Sequence, residues 1–148
     1  VIKLNKIYNF NLDIPKIGDL TKEEINQVFQ DGRSASPVLE MQLVKWFSEL
    51  THVSGCKDHD HLDKQGNKYD AKNFTKNGLR FMPSKMIGVG RAFNKIEFHK
   101  KAKSLTYIVC DIKEFPNIKV VFKSGKELIK EYPNGSVGPS KRKEFFND

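Results

Sequence analysis

Asp60, a run of turn-forming residues, and then Asp70-Ala71-Lys72 are the part of this sequence whose residue types and spacing can do chemistry. Hydrolysis of a phosphodiester at neutral pH needs a divalent ion to offset the phosphate charge and to lower the pKa of a bound water, with a cation beside the attacking oxygen. Two carboxylates on adjacent strands, joined by a backbone carbonyl such as that of Ala71, form a hard oxygen site suited to Mg²⁺, which keeps several of its waters. Side chains two apart in a strand share a face, so Asp70 and Lys72 point the same way. The Lys72 ammonium can then orient and help deprotonate the water, or steady the phosphorus.

A second acid-x-Lys triplet, Asp111-Ile112-Lys113, follows a better strand. What precedes it, from Lys95 to Ser104, reads as a helix, so no first arm of a hairpin supplies it with a second acid. His52, Cys56, His59 and His61 are types that ligate zinc, but no second ligand pair exists elsewhere to close such a site. Asp58, Asp60, Asp63 and Gly66 do not make a calcium loop, because Leu62 and Tyr69 stand where carboxylates are required. Arg80, Ser84 and Lys85 in a loop, and Asn134, Lys141 and Arg142 near the end of the chain, are the types that contact phosphates and base edges.

Several elements must position these residues. Thr21 and Glu24 form a capping box for a helix through Phe29 that Gly32 can end. Ser36-Pro37 starts a second helix, with Leu39, Leu43, Trp46, Phe47 and Leu50 on one apolar face. That spacing makes Trp46 core and not a platform for stacked bases. Asp63-Lys64-Gln65-Gly66-Asn67 predicts a hairpin turn, with Tyr69 to Phe74 as its second strand. Asn77 to Gly90 reads as loop, Arg91 to Lys103 as a helix, and Leu105 to Cys110 as a buried strand, so strand, helix and strand predict a parallel crossover. Ile118 to Phe122 is a further strand, and Ser124 with Glu127 predicts a capping box for a helix through Tyr132. Pro133 to Pro139 cannot propagate a helix, which makes residues 133–148, with Lys141-Arg142-Lys143, a flexible basic arm.

The 148 residues fit one domain able to bury a core without staples. With 38% hydrophobic residues and charges of both signs throughout, the chain is not disordered. Its 26 Lys plus Arg against 18 Asp plus Glu give a net charge of +8, which favours a polyanionic partner. No apolar run is long enough to span a bilayer, Val1 to Leu20 lacks a secretory apolar core, and two cysteines 54 positions apart suit a reducing, cytoplasmic setting.

The stretch from Asp60 to Lys72 resembles the catalytic hairpin of the PvuII-like type II restriction endonucleases, within the PD-(D/E)xK nuclease superfamily. The acid, the turn glycine, the tyrosine and the acid-x-Lys fall at matching offsets without a gap. Ile25-Asn26-Gln27-Val28-Phe29-Gln30-Asp31 is similar to the segment before the first core helix of that family. The resemblance covers roughly residues 25 to 132. It implies an α/β restriction-endonuclease-like core, a mixed β-sheet carrying the catalytic hairpin and flanked by helices. It also implies a homodimer clamping double-stranded DNA, dimerising through residues 1–35, with Mg²⁺ as cofactor and a cognate DNA methyltransferase as functional partner. Asp60 and Asp70 then look like the metal carboxylates, with the Ala71 carbonyl beside them, and Lys72 like the catalytic lysine. Asp31 matches an acidic residue that approaches DNA, and Glu40 stands where helix glutamates reach the metal in several nucleases of the superfamily. The loop from Asn77 to Ile87 departs from the family in carrying no histidine. A homing, junction-resolving or repair nuclease of the same superfamily, and a non-catalytic basic DNA-binding module, are the other readings.

Overall fold

The computed structural model describes residues 1–55 and 59–147. The chain is a mixed α/β protein. Its elements run β1 (Tyr8–Asn11), α1 (Lys22–Phe29), α2 (Gly32–Trp46), β2 (Thr51–His52), β3 (His61–Leu62), β4 (Lys68–Phe74), β5 (Leu79–Arg80), α3 (Lys95–Ala102), β6 (Leu105–Asp111), β7 (Asn117–Ser124), α4 (Gly125–Glu131), β8 (Ser136–Val137) and α5 (Arg142–Phe145). Among the described residues the main sheet has the order β1-β7-β6-β4-β3-β2. Only β4 and β6 are parallel neighbours in it, joined by the expected crossover through α3.

Alternation along the strands divides the core between the two faces of this sheet. Leu105, Tyr107 and Val109 of β6 point toward α3, α4 and the carboxyl-terminal segment, where Phe74, Phe81, Phe98, Leu128 and Phe146 are buried. Ile108 and Cys110 point to the opposite face, against Leu39, Leu43, Phe47 and Leu50, with Val120 and Phe122 of β7 beside them. Trp46 packs partly buried on that second core and stacks on Phe10 with ring centroids 4.2 Å apart.

The hairpin forms for the local reasons its sequence suggests. Asp63 accepts hydrogen bonds from the Gln65 and Asn67 N–H groups and from the Tyr69 hydroxyl. Gly66 supplies the left-handed turn residue at φ 84°. The Thr21–Glu24 capping box is present in both directions.

Several expectations change: Asn77 to Gly90, read as loop, contains β5, and the second helix ends at Trp46, before Phe47 and Leu50. The second helix begins at Gly32, capped by Asp31, whose carboxylate accepts from the Arg33 N–H, so Pro37 lies inside it. The helix expected from Arg91 starts at Lys95, because Asn94 caps it by accepting from the Glu97 N–H, and Ile96 is left 84% exposed. Ser124 occupies the N-cap of α4 without a side-chain bond. The segment after Tyr132 is built into the fold: β8 pairs with β5, the Phe81 N–H donates to the Gly135 carbonyl, and Phe145 and Phe146 are buried. No helix among the described residues is long and apolar enough to cross a membrane.

Candidate active site

β3 is short, and the only residues of β4 it reaches are Lys68 and Tyr69. From Asp70 onward, β4 is paired on one side by β6 and open on the other. That open edge is where the candidate residues meet. The Asp60 N–H donates to the Tyr69 carbonyl at 2.8 Å, which fixes the end of the first hairpin arm. Asp60 Oδ2 then accepts from the Ala71 N–H at 2.9 Å. The N–H and C=O of one strand residue face the same side, so the Ala71 carbonyl is directed to the same open edge as Asp60.

Asp70 and Lys72 project from the face of β4 that carries Phe74, as their spacing requires. Lys72 Nζ lies 3.3 Å from Asp70 Oδ2, and the two side chains are 20% and 16% exposed. Burial pushes the Asp70 carboxyl up to about 7; Lys72 opposes that rise, and a hydrogen bond and charge repulsion from Asp60 add to it. Two carboxylates that repel each other gain from a cation between them. Glu40, on α2, also faces Asp60. Its carboxyl is raised first by burial and then by Asp60, while His52, with Nε2 3.6 Å from Glu40 Oε2, pulls the other way.

These groups open into one cleft of about 1030 Å³, lined by Glu40, Asp60, Asp70, Ala71 and Lys72 together with Ser84, Lys85, Lys100 and Lys101, with Phe81 and Tyr107 also in its wall. Among the described residues no group of three or more His, Cys, Asp or Glu side chains is arranged to hold a metal ion. The protein's own offer is therefore a carboxylate pair and a carbonyl, an all-oxygen set that suits a hard cation retaining water.

The other sequence candidates fall in different places. Ser84 and Lys85 line the cleft, and Lys85 pairs with Glu97. Asp31 caps α2 and borders a separate cleft of about 500 Å³ with Arg33, Lys76 and Lys113. Arg80 and Asn134 are exposed in β5 and in the turn before β8. Lys141 is exposed and pairs with Glu144. Arg142 is the clearest change from expectation. It is not on a free arm, because its guanidinium is bound to the buried Asp111 carboxylate, with Nη2 2.6 Å and Nε 2.7 Å from Oδ2.

His61 is fully buried, its Nε2–H donates to the Glu40 carbonyl, and burial lowers its pKa, so the ring is neutral near pH 7. Cys56 and Asp58 lie outside the described residues. Sequence reasoning passed over Ser36, Asn73, Lys100 and Lys101 of the cleft. Asn73 Nδ2 ties β4 to α2 by donating to the Gly32 carbonyl and Ser36 Oγ. The adjacent Lys100-Lys101 pair on a short amphipathic helix was the available signal for the α3 side of the cleft. No protein-family model, no curated protein and no solved structure matches the chain.

Proposed function

We propose that this chain is a Mg²⁺-dependent type II restriction endonuclease. It hydrolyses double-stranded DNA at a short palindromic site, leaves 5′-phosphate ends, and uses its α/β sheet as a restriction-endonuclease-like core. The observation that supports this reading is the meeting of Asp60, Asp70, the Ala71 edge and Lys72 in one open cleft. Asp60 and Asp70, with the Ala71 carbonyl, would hold the ion. The donor set fits it, being oxygen only and carrying an acid pair whose repulsion a cation relieves. When bound, Mg²⁺ supplies Lewis-acid stabilisation of the phosphate and a lowered pKa for water.

The chain's own residues do the rest. The Lys72 ammonium, held beside Asp70, donates hydrogen bonds to the attacking oxygen and stabilises charge growing on the phosphate oxygens. Asp60 accepts from the Ala71 N–H and so keeps the strand edge and its own carboxylate in register. A two-fold homodimer, with residues 1–35 at its interface, reads a palindrome. A cognate methyltransferase protects the same site in the cytoplasm.

The test is to incubate the protein with a mixed-sequence plasmid library and Mg²⁺ and to sequence every end produced. Discrete ends at one palindrome with 5′-phosphates support the reading. Cleavage confined to branched or nicked DNA would instead favour a junction-resolving or repair nuclease, and binding without Mg²⁺-dependent cutting would favour a DNA-binding module.

A further inference from the structure

We infer that α3 is the phosphate-binding wall of the cleft, with Lys95, Lys100 and Lys103 contacting the backbone of duplex DNA beside the bond that is cut. The inference rests on the nuclease reading and adds how the substrate is held. Lys100 lines the catalytic cleft and also an adjoining groove of about 460 Å³, whose other lining residues are Lys95, Ile96, His99 and Lys103. The two cavities border each other at Lys100.

The charge of this helix is complementary to DNA. Residues 95–103 carry four lysines and one acid, a net of 4 − 1 = +3. The acid, Glu97, is paired with Lys85. Lys95, Lys100 and Lys103 are exposed and enter no ion pair among the described residues. The same cleft is also lined by Glu40, Asp60 and Asp70, which repel a polyanion wherever no cation offsets them. A DNA strand entering the cleft is thus drawn to the lysines of α3 and kept from the carboxylates.

Spacing agrees with this path. Phe98 and Ala102 anchor α3 in the core, which leaves the lysines on its outer surface. Lys95 to Lys103 spans about 12 Å at about 1.5 Å per helical residue, or three to four nucleotides at about 3.4 Å along one strand. Lysines near the carboxyl end of a helix also complement its dipole. That role stabilises the helix, but it does not change how DNA binding depends on salt.

The test measures binding of the full chain to a mixed-sequence duplex in EDTA between about 50 and about 200 mM salt, for the wild type and for Lys95→Ala, Lys100→Ala and Lys103→Ala combined. Each lost phosphate contact lowers the slope of log affinity against log salt by about 0.9, so the triple variant is expected to lose about 2 to 3 in slope. The Lys→Arg triple, which keeps the charge, is expected to restore it. An unchanged slope in the alanine variant, or an arginine variant that binds no better than it, overturns the inference while leaving the nuclease reading standing. A wild type that binds duplex with the full slope but never cuts it removes the nuclease reading and keeps the wall. A wild type that binds no duplex removes both.

Discussion

Two acid-x-Lys triplets lie on neighbouring parallel strands, Asp70-Ala71-Lys72 on β4 and Asp111-Ile112-Lys113 at the end of β6, with Asp111 in register with Phe74. Their spacing is identical and their surroundings are opposite. Asp70 faces a second carboxylate, a lysine and an open cleft. Asp111 is 1% exposed and closed by Arg142, and its Oδ1 accepts from the Lys113 N–H. A triplet becomes a candidate site through what the next strand and the sheet edge bring to it. Here the short β3 leaves β4 open and Asp60 beside it, whereas β6 is paired on both sides.

The largest expected effect separates the two lysines. Lys72→Ala is expected to lower duplex cleavage by about 10²- to 10⁴-fold, the scale of losing a group that acts on the reacting oxygen. Lys113→Ala is expected to leave the rate within about twofold and stability within about 0.5 kcal/mol, as for a surface substitution. Single-turnover rates on one duplex check both, and comparable losses would erase the contrast.

Stability inverts the contrast. Arg142→Ala strands a buried carboxylate, which costs about 3–5 kcal/mol and lowers the melting midpoint by about 6–20 °C. Thermal unfolding of the variant measures it, and a drop of only a degree or two would mean that Asp111 finds another partner.

How much of this was legible in the sequence follows from the range of each interaction. The hairpin was readable because its determinants are local: Asp63, Gly66, Asn67 and Tyr69 define the turn within seven residues. The crossover was readable from alternating strand and helix patterns. The candidate site's acids and lysine were readable because hairpin pairing brings Asp60 to Ala71. The carboxyl-terminal segment was not, since its order depends on Arg142 reaching Asp111 across 31 positions and on β8 pairing with β5. The buried pair Phe145-Phe146 was the one local sign against a free arm. The α3 side of the cleft left only the adjacent Lys100-Lys101 pair as a sign, because nothing near it in sequence says which residues α3 will face.

The next effect is smaller and has a pH sign. The Asp70 carboxyl is raised to about 7 in the folded protein from an ordinary value of 3.8. Its ionisation therefore destabilises the fold as pH rises through 7, and the penalty is absent below the unfolded value. In EDTA at pH 8, Asp70→Asn is expected to be more stable than wild type by about 1–3 kcal/mol, an advantage that shrinks as pH falls toward 4. Urea unfolding at several pH values tests it. No comparable gain is expected on changing Asp111, whose charge is matched by Arg142.

The smallest effect is stabilisation by the ion. Mg²⁺ at ten times its dissociation constant is expected to raise the stability of the wild type by about 1.4 kcal/mol. The gain weakens below pH 7, because the ion must displace the Asp70 proton, and it is absent in Asp70→Asn. Melting curves with and without Mg²⁺ read it directly.

The most direct measurement is duplex cleavage by wild type and Asp70→Asn side by side, with Mg²⁺ and with EDTA, with duplex binding measured in the same samples. Wild type should cut only with Mg²⁺, and the variant should bind the duplex at least as well yet leave it intact. Equal cutting by the two proteins, or no cutting by wild type on any duplex, would contradict a catalytic role for the β4 edge.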